Sequence, residues 1–270
     1  MTPEEFFELF LEELKVNQEM NHYYKFRSDE KSFHFRKNYF MERLRYIHRH
    51  INDPAQKVFD CGCGYGTTCF FLAMNGIATY GETLEFYYEQ IKKRAQYWQH
   101  FGDVSRFQYG YENLFDKKIV PEQYDTIIVQ DTLHHLEPIH EALQRLNALL
   151  KKNGKMVVIE ENGSNLIQSL KLYRQRGSKR IITIWDEKLQ KEITIGNENI
   201  RSLAHWKRLM TANSFDVDPE SVQYIRYFLP FRYKQNNQDT LLERERAIAA
   251  HSSWKKEYLF FGINFIARKS

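Results

Sequence analysis

Near one fifth of the way along the chain runs Val58-Phe-Asp60-Cys-Gly62-Cys-Gly64-Tyr-Gly66, followed by the uncharged run Thr-Thr-Cys-Phe-Phe-Leu. An apolar strand ends in an acid, and three glycines at alternate positions then open a helix. Glycine there lets the backbone pass close beneath a ligand, and the helix that follows offers backbone N–H groups at its start. The spacing is G-x-G-x-G, whereas the dinucleotide fingerprint is G-x-G-x-x-G.

The surroundings repeat the same rhythm. Strands are expected at 57–60, 77–82, 106–109, 124–130 and 155–160, with helical runs near 67–75, 85–100 and 137–151 between them. Asn153-Gly154 is expected to close the last of these helices. Strands alternating with helices imply right-handed crossovers and a parallel sheet covered on both faces. The expected fold is therefore a doubly wound, Rossmann-like α/β domain over 55–270.

Two segments frame that domain. Residues 1–54 read as a helical N-terminal cap, with Phe6, Phe7, Phe10, Leu11 and Leu14 recurring at three- and four-residue spacing. Tyr23, Tyr24 and Phe26 read first as core packing, with a pocket wall as the alternative. After Glu160 a helix is expected at 165–177, a β-hairpin at 180–185 and 192–195, and a helix at 202–213. Residues 165–213 form an insert on the acceptor side. Final strands near 222–228 and 258–267 are expected to finish the sheet as an antiparallel hairpin with a helical excursion between them.

Composition excludes several classes. Apolar residues make up 42% and charged residues 27%, enough to build a core and too ordinary for wholesale disorder. A net charge of +4 is well short of a dedicated nucleic-acid binder. The uncharged stretch 61–81 is long enough to suggest a membrane span, but five glycines and three threonines within it argue for turns instead. The N-terminal residues are acidic where a secretory signal would be basic. Cys61, Cys63 and Cys69 are odd in number and clustered, which suits reduced, buried thiols in a cytoplasmic protein better than disulfides or a zinc site.

Two further blocks complete the pattern. Glu82 closes the second strand, where an acid can grip both hydroxyls of a ribose. The fourth strand ends in Gln130-Asp131, followed by Thr-Leu-His134-His135-Leu-Glu-Pro. In this order, and over about 55–162, the blocks resemble the class I S-adenosylmethionine-dependent methyltransferases. The likeness extends more loosely to 267.

That resemblance implies a seven-stranded sheet, S-adenosylmethionine as cofactor and S-adenosylhomocysteine as its product. It also assigns roles by position. Asp60 and the backbone at Gly62, Gly64 and Gly66, with Cys63 between them, would hold the amino and carboxyl ends of the methionine portion. Glu82, with Thr83 beside it, would take the ribose hydroxyls, and Gln130 would face the sulfonium. The acid that usually meets the adenine falls at Tyr111, so either Glu112 takes that part or Tyr111 stacks there. His134 and His135 would lie beside the methyl as catalytic base or acceptor contacts, or one of them is structural.

The acceptor side is read less directly. The insert holds ten basic and four acidic residues, with Arg174, Arg176, Lys179 and Arg180 around one turn. A solvated helix end is the first reading, and an anionic acceptor, nucleic acid or membrane surface the others. Gln130-Asp131-Thr-Leu stands where base and glutamine N-methyltransferases carry an Asn-Pro-Pro-Tyr-like run. The expectation is methyl transfer to a small organic acceptor, at oxygen. The alternatives are an RNA or protein methyltransferase, or a cofactor-binding scaffold without catalysis; a homodimer is compatible with either. A metal is not indicated, because no acids and histidines stand at ligand spacing.

Overall fold

Strands buried on both faces need apolar side chains at successive positions, and Val58, Phe59, Ile127, Ile128 and Val129 supply them in the middle of the sheet. In the computed structural model, which describes residues 1–26, 32–84 and 87–270, five parallel strands stand in the order β3-β2-β1-β4-β5. They are β1 (Lys57–Cys61), β2 (Ala78–Thr83), β3 (Phe107–Tyr111), β4 (Tyr124–Gln130) and β5 (Leu150–Glu161). The last strand, β10 (Gly262–Lys269), runs antiparallel to β5. Two short strands, β8 (Phe215–Val217) and β9 (Gln223–Ile225), share the far edge of β10. Eight strands thus fill seven positions. The split falls at a single 3-10 turn, Pro219–Ser221, where the proline has no N–H for a ladder.

Several boundaries differ from the sequence expectation. Asn153-Gly154 does not cap a helix: α6 (Ile139–Leu149) stops at Leu149, and Leu150 already pairs with Tyr124. Residues 151–154 bulge out opposite Asp125 before pairing resumes at Thr126 and Lys155. Asn153 does adopt a positive φ of 63°, so its turn-forming character is real but serves a bulge. The strand expected from 258 begins at 262, because Ser253–Leu259 forms a helix, α10, directly after α9 (Gln238–His251). The helical run expected near 85–100 is α5 (Tyr88–Trp98); its first two residues, 85 and 86, lie outside the described residues. The insert holds α7 (Leu166–Arg176), the two-stranded hairpin of β6 (Ile181–Asp186) and β7 (Lys191–Gly196), and α8 (Leu203–Ala212).

The N-terminal helices are α1 (Pro3–Val16), α2 (Gln18–Tyr24) and α3 (Phe33–His50), with 27–31 outside the described residues. A capping box starts α1: the Thr2 hydroxyl accepts from the Glu5 amide, and the Thr2 amide donates to the Glu5 carboxylate. Phe6, Phe7, Phe10 and Leu14 leave one face of α1 and are buried. They join the same core as α4 (Thr67–Met74) and α5, and Phe6 stacks on Trp98 at 4.4 Å between centroids.

One buried charge binds these parts together. Arg94 of α5 is fully buried and grips the Glu13 carboxylate of α1 through Nε and Nη2, at 2.8 and 2.7 Å. Its Nη1 donates to the Tyr65 carbonyl and the Thr67 hydroxyl, both in the turn that carries the glycines. Trp98 Nε1 donates to Glu13 as well. Arg94→Met strands Glu13 in the core and is expected to lower unfolding free energy by about 3–5 kcal/mol in urea denaturation. The double change Glu13→Leu with Arg94→Met is expected to recover most of that loss. Equal losses in both variants would show that the pair itself does not hold the N-terminal helices.

Candidate active site

A cavity of about 860 Å³ opens at the carboxyl ends of β1, β2 and β4, within the ~300–1,000 Å³ usual for small-ligand sites and in the place where open α/β sheets bind them. Its floor is the glycine turn. Gly62 has a φ of +84°, and a Cβ there would come within 2.3 Å of Thr132 Oγ1, so this position needs glycine on both counts. Gly62 and Cys63 donate their amides to the Glu82 carbonyl, which lashes the turn to the end of β2. A Cβ on Gly64 would only touch Tyr87, at an ordinary contact distance of 3.8 Å.

The expected residues separate into two groups. Gly62, Cys63, Gly64, Glu82, Thr83, Glu112 and Gln130 are on the cavity wall together with His134 and His135. Asp60, Gly66 and Tyr111 are not among the wall residues. Asp60 is buried beneath the turn and accepts from the Cys69 thiol at 3.2 Å. Burial pushes its carboxyl up to about 7, with the Cys69 hydrogen bond pulling the other way. Gly66 is the N-cap of α4 with a φ of 72°. The Tyr111 hydroxyl sits 2.8 Å from both the Leu84 carbonyl and Asp186 Oδ2 of the hairpin. The three cysteines are free, and burial raises the Cys61 and Cys69 thiols well above their usual range.

Glu82 is held by a residue that sequence reading did not single out. Lys117 Nζ donates to Glu82 Oε2 at 2.9 Å and to Glu112 Oε2 at 2.8 Å, and lies over the Tyr80 ring at 4.4 Å. Burial drives the Glu82 carboxyl up to about 7, although Lys117 opposes the rise. A lysine in the loop after β3 carries no motif, and only the fold brings it 35 positions back to Glu82.

The histidines are positioned by different partners. His134 is buried, and its Nδ1 donates to Glu160 Oε2 at 2.5 Å. Glu160 Oε1 in turn accepts from the amides of Thr132 and Leu133, so one carboxylate at the end of β5 sets the whole turn after β4. Burial disfavours a His134 cation, but the Glu160 charge and hydrogen bond outweigh it and raise the ring to about 9. His135 Nδ1 donates to the Gly196 carbonyl at 2.9 Å. Gly196 approaches so closely that a Cβ there would fall 2.0 Å from the His134 carbonyl oxygen. That contact delivers Glu198 to the cavity, its carboxylate 3.7 Å from His134 Nε2 and 4.0 Å from His135 Nε2. Linear spacing could not reveal this group, since Glu198 comes from the far end of the hairpin.

Cap and insert both reach the cavity. Tyr23, Tyr24 and Phe26 serve both expected purposes: Phe26 is buried in the core, and all three line the wall. Arg43 of α3 pairs with Asp131 at 2.5 Å, and Asp131 adopts a positive φ of 51° to meet it. From the hairpin come Ile184, Asp186, Ile193 and Ile195. Arg174, Arg176, Lys179 and Arg180 are not among the wall residues.

Residues 59–156 match the family described as a methyltransferase domain. No curated protein matches the chain by sequence. Among solved structures, 1,6-didemethyltoxoflavin-N1-methyltransferase of Burkholderia thailandensis, with 1,6-didemethyltoxoflavin and S-adenosylhomocysteine bound, superposes with a TM-score of 0.53 at 13% identity. That alignment covers 100% of this chain and 91% of the other. Geranyl diphosphate C-methyltransferase of Streptomyces coelicolor gives 0.57 at 14% identity, over 85% and 76% of the two chains. A SAM-dependent methyltransferase of Methanosarcina mazei gives 0.54 at 16% identity, over 83% and 96%. The wall residues would fit a nucleoside cofactor such as S-adenosylmethionine: a glycine turn at the floor, a buried carboxylate at Glu82, and Gln130 at the tip of β4. Motif order, sheet topology and the match over residues 59–156 agree on one fold, that of a methyltransferase domain.

Proposed function

We propose that the protein methylates a small organic acceptor at oxygen, with His134 and His135 at the acceptor end of the cavity. The observation that carries this reading is the cavity wall: side chains of α2 and α3 and of the hairpin stand over the glycine turn and the histidines, leaving a space of small-molecule size. An RNA or protein acceptor would need an open groove at the same place. Imidazole and carboxylate groups at the acceptor end favour a polar nucleophile, which they can orient by hydrogen bonds. Bound S-adenosylmethionine supplies the electrophilic methyl. The chain's own contribution is to orient the acceptor, exclude water with Tyr23, Tyr39 and Phe40, and hold the ribose end through Glu82.

Incubation with methyl-labelled cofactor and a panel of phenols, hydroxy acids and sugars, followed by mass spectrometry, tests the reading. An O-methyl product is expected. Label confined to RNA, protein or a nitrogen atom would sink it.

Two variants probe the supporting residues. Lys117→Met leaves Glu82 without its cation and is expected to weaken S-adenosylhomocysteine binding by about 1–2 kcal/mol in calorimetric titration. Unchanged affinity would mean that Lys117 does not keep Glu82 ready for the ribose.

Asp60 supports the turn from beneath in this reading. Its carboxyl is raised from an ordinary value near 3.8 to about 7 in the folded chain. The stability it confers is complete below the unfolded value and is lost as pH rises through about 7. Asp60→Asn removes that loss, so its gain in Tm over the parent is expected to be larger at pH 8 than at pH 5, by at least ~2 °C. A difference independent of pH would contradict the buried, uncompensated acid.

A further inference from the structure

We propose that His134, His135 and Glu198 form a binding site for one divalent transition-metal ion of the zinc type, at the acceptor end of the cavity. The proposal builds on the placement of the two histidines there, but its test reads the metal without methyl transfer. Among the described residues these are the one group of three ligating side chains whose donor atoms all lie within 4.8 Å of one another.

The arrangement around the imidazoles points to a metal more than to a simple ion pair. Both rings commit Nδ1 as a donor, His134 to the Glu160 carboxylate and His135 to the Gly196 carbonyl. Each commitment fixes the orientation of its ring and, in the neutral form, leaves the lone pair on Nε2. A carboxylate or a backbone carbonyl behind each histidine is the usual outer support of a metal ligand. His134 Nε2 lies 3.7 Å from Glu198 Oε2, and His135 Nε2 lies 4.0 Å from Oε1, the other oxygen of the same carboxylate. Those separations are too long for hydrogen bonds. They are close to the ~3.4 Å between neighbouring ligands that tetrahedral bonds of about 2.0–2.1 Å would give. With one ligating atom per residue the donors lie within 4.8 Å of one another, and the closure to about 3.4 Å falls to the half-exposed Glu198 side chain.

The backbone is shaped to bring the third ligand in. Glu198 has a φ of 52°, in the left-handed region that a glutamate rarely occupies. Its loop is pinned by amides on both sides: Gly196 donates to the His135 carbonyl and Asn199 to the His134 carbonyl. The tight approach at Gly196, where no Cβ fits, is what allows both bonds. Strained backbone held by its surroundings is characteristic of ligand-binding positions.

Two imidazoles and one carboxylate suit Zn²⁺, Co²⁺ or Fe²⁺ better than Mg²⁺ or Ca²⁺, which prefer oxygen ligands. Three protein ligands leave at least one position open, as in reactive rather than structural sites. That position faces the cavity shared with Gln130 and Asp131. The ligand it fits is an oxygen of the acceptor, such as a hydroxyl beside a second hydroxyl or a carbonyl.

The test uses the untagged full chain, stripped with a chelator and titrated with Co²⁺ alone while visible d–d absorption is followed. One Co²⁺ per chain, with bands displaced by one equivalent of Zn²⁺, is the expected result. His135→Ala and Glu198→Ala are each expected to weaken Co²⁺ binding at least about 100-fold, and Glu160→Gln about 10–100-fold. S-adenosylhomocysteine titration of each variant reports whether the fold and cofactor end are intact, separately from the metal. The proposal is overturned if the stripped protein gives no d–d bands, if Mg²⁺ alone binds, or if His135→Ala and Glu198→Ala bind Co²⁺ like the parent while still binding S-adenosylhomocysteine.

Discussion

The fully buried guanidinium of Arg94 ties three parts of the molecule that the chain order keeps apart. It holds the Glu13 carboxylate of the first helix, the carbonyl of Tyr65 and the hydroxyl of Thr67. A buried cation is tolerated only when its donors are satisfied, and here Nε, Nη1 and Nη2 all find acceptors. Through it the N-terminal helices and the glycine turn are positioned together. The aromatic packing of Phe6, Phe10, Phe70 and Trp98 then excludes water from the pair, which strengthens it.

The two ends of the cavity obey different electrostatics. Beside β2, Glu82 is a buried acid balanced by Lys117, and the pair is shared with Glu112. Beside β5, Glu160 serves two backbone amides and one imidazole, so that one carboxylate holds both the turn after β4 and His134. Each end is thus set by one carboxylate at the tip of a strand, β2 in one case and β5 in the other.

The insert has a role that its composition disguised. Its charge is concentrated in the basic turn at 174–180, yet the part that reaches the cavity is the apolar and acidic side of the hairpin and the loop after it, through Ile184, Asp186, Ile193 and Glu198. Asp186 meets the Tyr111 hydroxyl, so the hairpin also braces the end of β3. Strand pairing decides this: the isolated bridge between Leu136 and Ile195 lays the hairpin directly against the histidine turn.

Much was legible in the residue order because the signals are local. The Asp60 to Gly66 block, the alternation of strand and helix, and the acid at Glu82 each follow from short-range backbone requirements, and together they determine the doubly wound sheet and where its cavity lies. The split edge strand and the bulge at 151–154 were not legible, because Asn-Gly and Pro carry the same turn chemistry whether they end a helix or interrupt a strand. Tertiary structure alone decided which charges meet. Lys117 reaches Glu82, Glu160 reaches His134, and Glu198 reaches both histidines across separations of 35, 26 and more than 60 positions. No periodicity encodes such encounters, since they depend on how whole elements pack rather than on what any segment prefers.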